Sequence, residues 1–252
     1  MSDNVSEGTA AAGTAPAPAG ADHLPGRLLG IIFSPRDTFA RIVARPRWIG
    51  ALAVVTVVVS ALTFTFLRTE VGQAALLDQQ VRQMENFGMQ IDAEQYARME
   101  QGLPMAAAIT GVAPLVTIPI FTLVFAGIVV AVFNAMLGGS ATFKQVTAVL
   151  AHSGAVSVLQ HLFVTPLNYV RESMSSATNL GVLVPFLDEG NIIARFLGTI
   201  DLFIVWWLLV LAIGLGVLYR RRTAPVFWSF MGVYVVIALV IALVTGGGAG
   251  GA

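Results

Sequence analysis

The chain has 252 residues, no net formal charge and no cysteine, and 11% of its residues are charged against 56% hydrophobic. A soluble domain carries about 25% charged residues, so this chain would expose large apolar patches in water and finds its natural solvent in a bilayer. The charge balance excludes the basic footprint of a nucleic-acid partner, and the missing thiols exclude disulfides, thiolate nucleophiles and cysteine metal sites.

Residues 1–23 are rich in Ala, Gly and Pro and are expected to stay disordered. They lack the basic and apolar regions of a secretory signal. Residues 24–47 form a cytoplasmic amphipathic segment. Within it Ser34 is placed as an N-cap, Pro35 at the first helical position and Asp37 three residues after the cap. Phe39, Ile42 and Val43 fall on one face of that helix, away from Arg36, Arg41 and Arg45. Such a helix lies in the headgroup layer, or packs on its own membrane domain.

The membrane domain, 48–244, holds five apolar stretches near the roughly 20 residues that cross about 30 Å of hydrocarbon. They run Trp48–Leu67, Leu115–Leu137, Phe143–Val164, Phe196–Tyr219 and Pro225–Val244. The expected fold is therefore an all-α integral membrane protein of five transmembrane helices with an N-terminal interfacial amphipathic helix. Pro114 and Pro119 kink or start the second span. Between the first two spans, Leu77, Val81 and Met84 recur at helical spacing, and Asp92 with Gln95 marks a second helix start, giving a helical hairpin on the membrane surface. Between spans three and four, Gly181–Leu187 is too short to cross and reads as interfacial or re-entrant. Residues 245–252 are a Gly-rich tail.

Arg27, Arg36, Arg41, Arg45, Arg47, Lys144 and Arg220–Arg222 gather on one side of this topology, and Arg68, Arg82, Arg98, Arg171 and Arg195 on the other. The excess places the N-terminus in the cytoplasm and the C-terminus outside. Arg36, Arg41, Arg45, Arg220, Arg221 and Arg222 are candidate contacts for anionic lipid headgroups. The Arg-dominated basic set, with abundant Ala, Gly and Val, suggests a high-GC bacterial genome, and the expected location is the bacterial cytoplasmic membrane.

Little catalytic chemistry is available. His152 and His161 are nine residues apart, so they face nearly opposite sides of one helix and do not share a metal. No P-loop or Gly-x-Ser-x-Gly appears, and no two acidic residues fall within the spans. No cofactor, metal or catalytic residue is expected. The polar groups inside the spans, His152, Asn134, Gln160, His161 and Asp201, are candidate contacts between helices. Asp201 is the one acidic residue in a span. It is read as a helix start near the outer boundary, favoured by the helix dipole, and paired with His161 at a comparable depth.

The chain resembles the YIP family, the Ypt/Rab-interacting membrane proteins, in its bacterial branch. Four segments carry the resemblance: Leu28-Leu29-Gly30-Ile31-Ile32-Phe33-Ser34-Pro35 with Thr38-Phe39; Gly138-Gly139-Ser140-Ala141-Thr142-Phe143-Lys144-Gln145; Thr178-Asn179-Leu180-Gly181; and Asp201-Leu202-Phe203-Ile204-Val205-Trp206 with Gly214. The resemblance implies five membrane helices and a cytoplasmic N-terminus, but no biochemical activity. The functional expectation is a non-enzymatic scaffold binding lipid, another membrane protein or a second copy of itself. The alternative is a transporter or permease component, with an intramembrane enzyme third. No internal repeat divides the spans into matched halves, which weighs against inverted-repeat transporters.

Overall fold

In the computed structural model, residues 23–188 and 191–245 are described, except the side chains of Met136 and Leu137. The two terminal tails expected from the sequence lie outside the described residues, apart from His23 and Thr245. Eleven α-helices make up the described chain: α1 Leu24–Phe33, α2 Pro35–Ala44, α3 Ile49–Leu67, α4 Glu70–Asn86, α5 Ala93–Val112, α6 Pro114–Leu137, α7 Phe143–Ser153, α8 Ala155–Arg171, α9 Ile192–Thr199, α10 Leu202–Leu218 and α11 Thr223–Val244. No strand forms among the described residues.

Among the described residues, four helices are long and apolar enough to cross a membrane: α3, α6, the α7–α8 pair over Phe143–Arg171, and α11. The α7–α8 pair is interrupted only at Gly154, where α3 presses close. A Cβ there would stand 3.1 Å from both methyls of Val55. The fourth expected span is broken in two. After α9 the chain turns extended at Ile200 and Asp201 and restarts as α10, an apolar helix of 17 residues.

Local chemistry sets the helix ends. Asp92 and Gln95 form the reciprocal capping box that starts α5, and Thr142 and Gln145 form another at the start of α7. Gly138, at φ +65°, closes α6 in the left-handed conformation that suits glycine. Pro114 begins α6, yet Ala113 keeps helical angles, so α6 follows α5 without a loop.

The hairpin expected on the membrane surface is tied down more firmly than that. The α4–α5 pair has its own core of Leu76, Leu77, Leu103 and Ala107 packed on Phe66 and Leu67. The second half of α5 lies along α3, where Ser60 Oγ donates to the Gly111 carbonyl at 2.7 Å.

The N-terminal segment also departs from the interfacial reading. Ser34 is the N-cap of α2 as expected, without a side-chain capping bond. The apolar face of α2 is turned into the protein, because Phe39 and Ile42 are both 0% exposed. They share one core with Val146 and Val149 of α7 and Val210, Leu211 and Leu215 of α10. A glycine on each side makes the fit possible. At Gly214 a Cβ would come within 2.9 Å of the Phe39 ring, and at Gly30 one would come within 2.5 Å of Thr38 Oγ1. Gln145 Nε2 donates to the Val43 carbonyl at 3.4 Å, tying α2 to the start of α7. What α1 and α2 leave outward is Leu29, Phe33 and the exposed Arg36 and Arg45.

Candidate functional site: a helix break beside a cleft

Asp201 sits at the break between α9 and α10 and is 5% exposed. It is the N-cap of α10, and its Oδ1 accepts from the Phe203 amide at 2.8 Å and the Ile204 amide at 3.4 Å. Three side chains converge on the same carboxyl. Ser176 Oγ and Thr178 Oγ1 donate to Oδ2 at 2.5 and 2.6 Å, and Gln160 Nε2 donates to Oδ1 at 3.4 Å. An interrupted helix leaves backbone groups that must be satisfied inside an apolar bundle. Here the loop after α8 supplies the partners. Leu180 N donates to Ile200 O and Leu202 N to Thr178 O, at 2.9 and 3.0 Å, as an isolated antiparallel bridge of Asn179 with Asp201. Tyr234 of α11 finishes the knot. Its hydroxyl accepts from Asp201 N at 3.0 Å and donates to Thr199 O at 2.8 Å.

The helix-start role expected for Asp201 is therefore present, but its surroundings differ in two ways. First, His161 is not its partner. His161 Nδ1 lies 2.9 Å from the carbonyl of Ser157 on its own helix, and the neighbouring Gln160 makes the contact with Asp201. Second, Asp201 is level with Tyr234, midway along the apolar α11, rather than with that helix's end. Sequence reasoning assigned no role to Ser176, Thr178 or Tyr234. The signals were a hydroxyl-bearing Ser-x-Thr pair in the loop and a tyrosine in the middle of an apolar run.

The other expected polar contacts are made locally. His152 is 0% exposed and its Nδ1 lies 2.8 Å from the Ala148 carbonyl; its Nε2 has no hydrogen-bond partner. Asn134 Nδ2 donates to Ala141 O at 2.9 Å, stapling the turn between α6 and α7. Of the headgroup candidates, Arg36, Arg45 and Arg220–Arg222 are exposed and Arg41 is half-buried. Arg220 holds a left-handed turn at φ +53° that carries the cluster between α10 and α11. Because α2 packs where α7 begins and α10 ends, these residues and Lys144 share one end of the bundle.

Beside the knot lies a cleft of about 460 Å³ between α3, α6, the α7–α8 pair and α10. Its walls are mostly apolar, with Leu52, Val55, Ile118, Phe121, Phe203 and Trp207 among them. The polar groups in the lining are Thr117, Thr122, Ser157 and Gln160, so no charged side chain faces it. Gln160 thus touches both the cleft and Asp201.

Comparison with curated proteins and with solved structures gives no match. The family model for the Yip1 domain matches residues 29–245, nearly the whole described chain. With its several apolar membrane-length helices, the chain is a multi-pass membrane protein and belongs to the Yip1 domain family.

Proposed function

We propose that the protein is a non-enzymatic scaffold of the bacterial cytoplasmic membrane that binds lipid or another membrane protein. One observation carries this reading: Asp201 and His152, two ionisable groups within the bundle, are closed off, at 5% and 0% exposed. A transporter or intramembrane hydrolase must bring solute or water to its ionisable groups. Here the Asp201 carboxyl instead spends its acceptor capacity on five donors of its own chain.

The transporter reading has one feature in its favour, the discontinuous α9–α10 helix. In transporters such half-helix N-termini point at anionic substrates. At this break the N-terminus of α10 is already occupied by Asp201 itself, so the position a substrate anion would take is filled. The break then serves to fix the loop carrying Ser176 and Thr178 against the bundle.

Five spans complete this reading, with α10 and α9 together crossing as one interrupted helix. α10 alone gives about 25 Å at 1.5 Å per residue. The end bearing Arg36, Arg41, Arg45, Lys144 and Arg220–Arg222 faces the cytoplasm under the positive-inside rule, with the C-terminus outside. There the guanidinium groups meet anionic headgroups at about 1 kcal/mol each, and Phe33 and Leu29 reach into the same layer. The orientation is tested with single cysteines in intact cells. Gln79→Cys on α4 is expected to react with a membrane-impermeant maleimide, and Arg222→Cys only after the cells are opened. The opposite labelling reverses the topology.

The scaffold reading is tested by purifying the protein from native membranes in mild detergent and identifying retained lipids and proteins by mass spectrometry. Stoichiometric retention of anionic lipid, reduced when Arg220–Arg222 are changed to Gln, is the expected result. Solute uptake into proteoliposomes that depends on the chain and is abolished by Asp201→Asn would replace it with the transporter.

A further inference from the structure

The geometry points to the cleft as a binding site for a neutral lipid with a planar, carbonyl-bearing ring, of the quinone type. The inference rests on the scaffold reading, because it takes the bundle as embedded and the site as one that holds a ligand without turning it over. Four observations lead to it.

The cleft's volume, about 460 Å³, falls within the roughly 300–1,000 Å³ of small-molecule sites. Its lining carries no charged side chain to pair with a phosphate or an ammonium group. Thr117 bonds back to the Ala113 carbonyl at 3.1 Å, but the other two hydroxyls of the lining are uncommitted. Hydroxyls in this chain's helices commonly bond back to the carbonyl one turn earlier, as Thr56, Thr63, Thr147 and Ser153 do. The side-chain hydroxyls of Thr122, 7% exposed, and Ser157 have no hydrogen-bond partner among the described residues, although the Ser157 carbonyl lies 2.9 Å from His161 Nδ1. Gln160 gives one amide hydrogen to Asp201 and keeps the other. A hydroxyl in an apolar setting without a partner is costly, and a ligand with acceptor oxygens supplies the partner. Finally, three aromatic rings, Phe121, Phe203 and Trp207, stand in the same lining and suit a flat ring.

Depth selects among lipids. Gln160 and Asp201 are level with Tyr234 at the middle of α11. The charged headgroup of a phospholipid stays in the interfacial layer outside the hydrocarbon core. A neutral ring carrying carbonyl oxygens can reach that depth and accept from Thr122, Ser157 and Gln160, while its apolar chain leaves between α3 and α6 past Leu52 and Ile118.

The experiment uses the full chain in nanodiscs of defined phosphatidylcholine, with Trp48→Phe, Trp206→Phe and Trp228→Phe leaving Trp207 as the only indole of the four. Decylubiquinone is titrated and Trp207 emission followed. Saturable quenching is expected, with the apparent Kd raised at least tenfold in Thr122→Val/Ser157→Ala at unchanged thermal stability. If that double variant does not fold, Ser157→Ala alone is expected to raise it severalfold. Two results overturn the site. One is quenching that rises linearly with quinone content and is the same in the variants, which is partitioning only. The other is strong quenching by phosphatidylcholine brominated on its acyl chains that decylubiquinone does not relieve, which means a phospholipid chain fills the cleft. Neither disturbs the scaffold reading, whose lipid or protein is retained at the basic end and is scored by mass spectrometry.

Discussion

Asp201→Ala is expected to lower the free energy of unfolding by about 3 kcal/mol or more, well beyond the roughly 1 kcal/mol of a simple N-cap. The difference comes from what the carboxyl holds. Besides the Phe203 and Ile204 amides it satisfies Ser176, Thr178 and Gln160. Truncation leaves these half-buried donors without their acceptor, at about 1–3 kcal/mol for each that finds no other partner. The loop from Ser176 to Leu183 should then loosen, since its hydrogen bonds to the break are reduced to the two backbone bonds with Ile200 and Leu202. Asp201→Asn keeps the shape and one acceptor oxygen, so its expected cost is smaller, about 1–2 kcal/mol. Tyr234→Phe removes one donor and one acceptor from the break and is expected to cost about 1 kcal/mol. Reversible unfolding in mixed micelles gives these values, and trypsin cleavage at Arg171 and Arg195, the basic residues that flank the loop, reports its loosening. A cost near 1 kcal/mol for Asp201→Ala with the loop still protected would reduce Asp201 to a cap and dissolve the knot.

The sequence was most informative where local chemistry decides and least where a distant partner does. Asp92 with Gln95 announced a helix start and delivered a capping box. Hydropathy marked the long apolar helices because length and composition suffice for them. It could not mark the break between α9 and α10. The apolar run continues past Asp201, and what makes the interruption tolerable is Thr178 and Leu180, more than twenty residues earlier. The short motifs that carry the family resemblance prove to be partners in space. Thr178–Gly181 pairs with Asp201, Gln145 reaches the carbonyl of Val43, and Phe39 packs on Gly214. Their spacing in the chain was visible, but their pairing was not. The misassigned His161 shows the same limit at finer scale. Its depth on the helix was nearly right, but one residue turns a helical side chain by about 100°, and that rotation gives Asp201 to Gln160 and leaves His161 bonded to its own backbone.

The same distinction decides what Phe39 does. A helix with an apolar face beside arginines reads equally as lipid-facing or protein-facing, and Gly214 settles it by leaving a gap on α10 that the Phe39 ring fills. Phe39→Ala is accordingly expected to cost about 3–4 kcal/mol of bundle stability, the range for a large aromatic truncated in a core. Phe39→Asp is expected to cost more, because it also buries a carboxylate with no partner, and the protein should fail to accumulate in the membrane. A helix merely resting on lipid would behave otherwise. Phe39→Asp would lift it from the surface and leave the unfolding of the spans unchanged. The complementary substitution, Gly214→Ala, places a Cβ 2.9 Å from the ring and 2.6 Å from Val149 Cγ1, so overpacking of about 1–3 kcal/mol is expected. Combining Gly214→Ala with Phe39→Ala relieves the first of those two collisions. The double variant should therefore be more stable than the sum of the single losses, by about 0.5 kcal/mol or more. Strict additivity, or unfolding that ignores Phe39 altogether, would return α2 to the membrane surface.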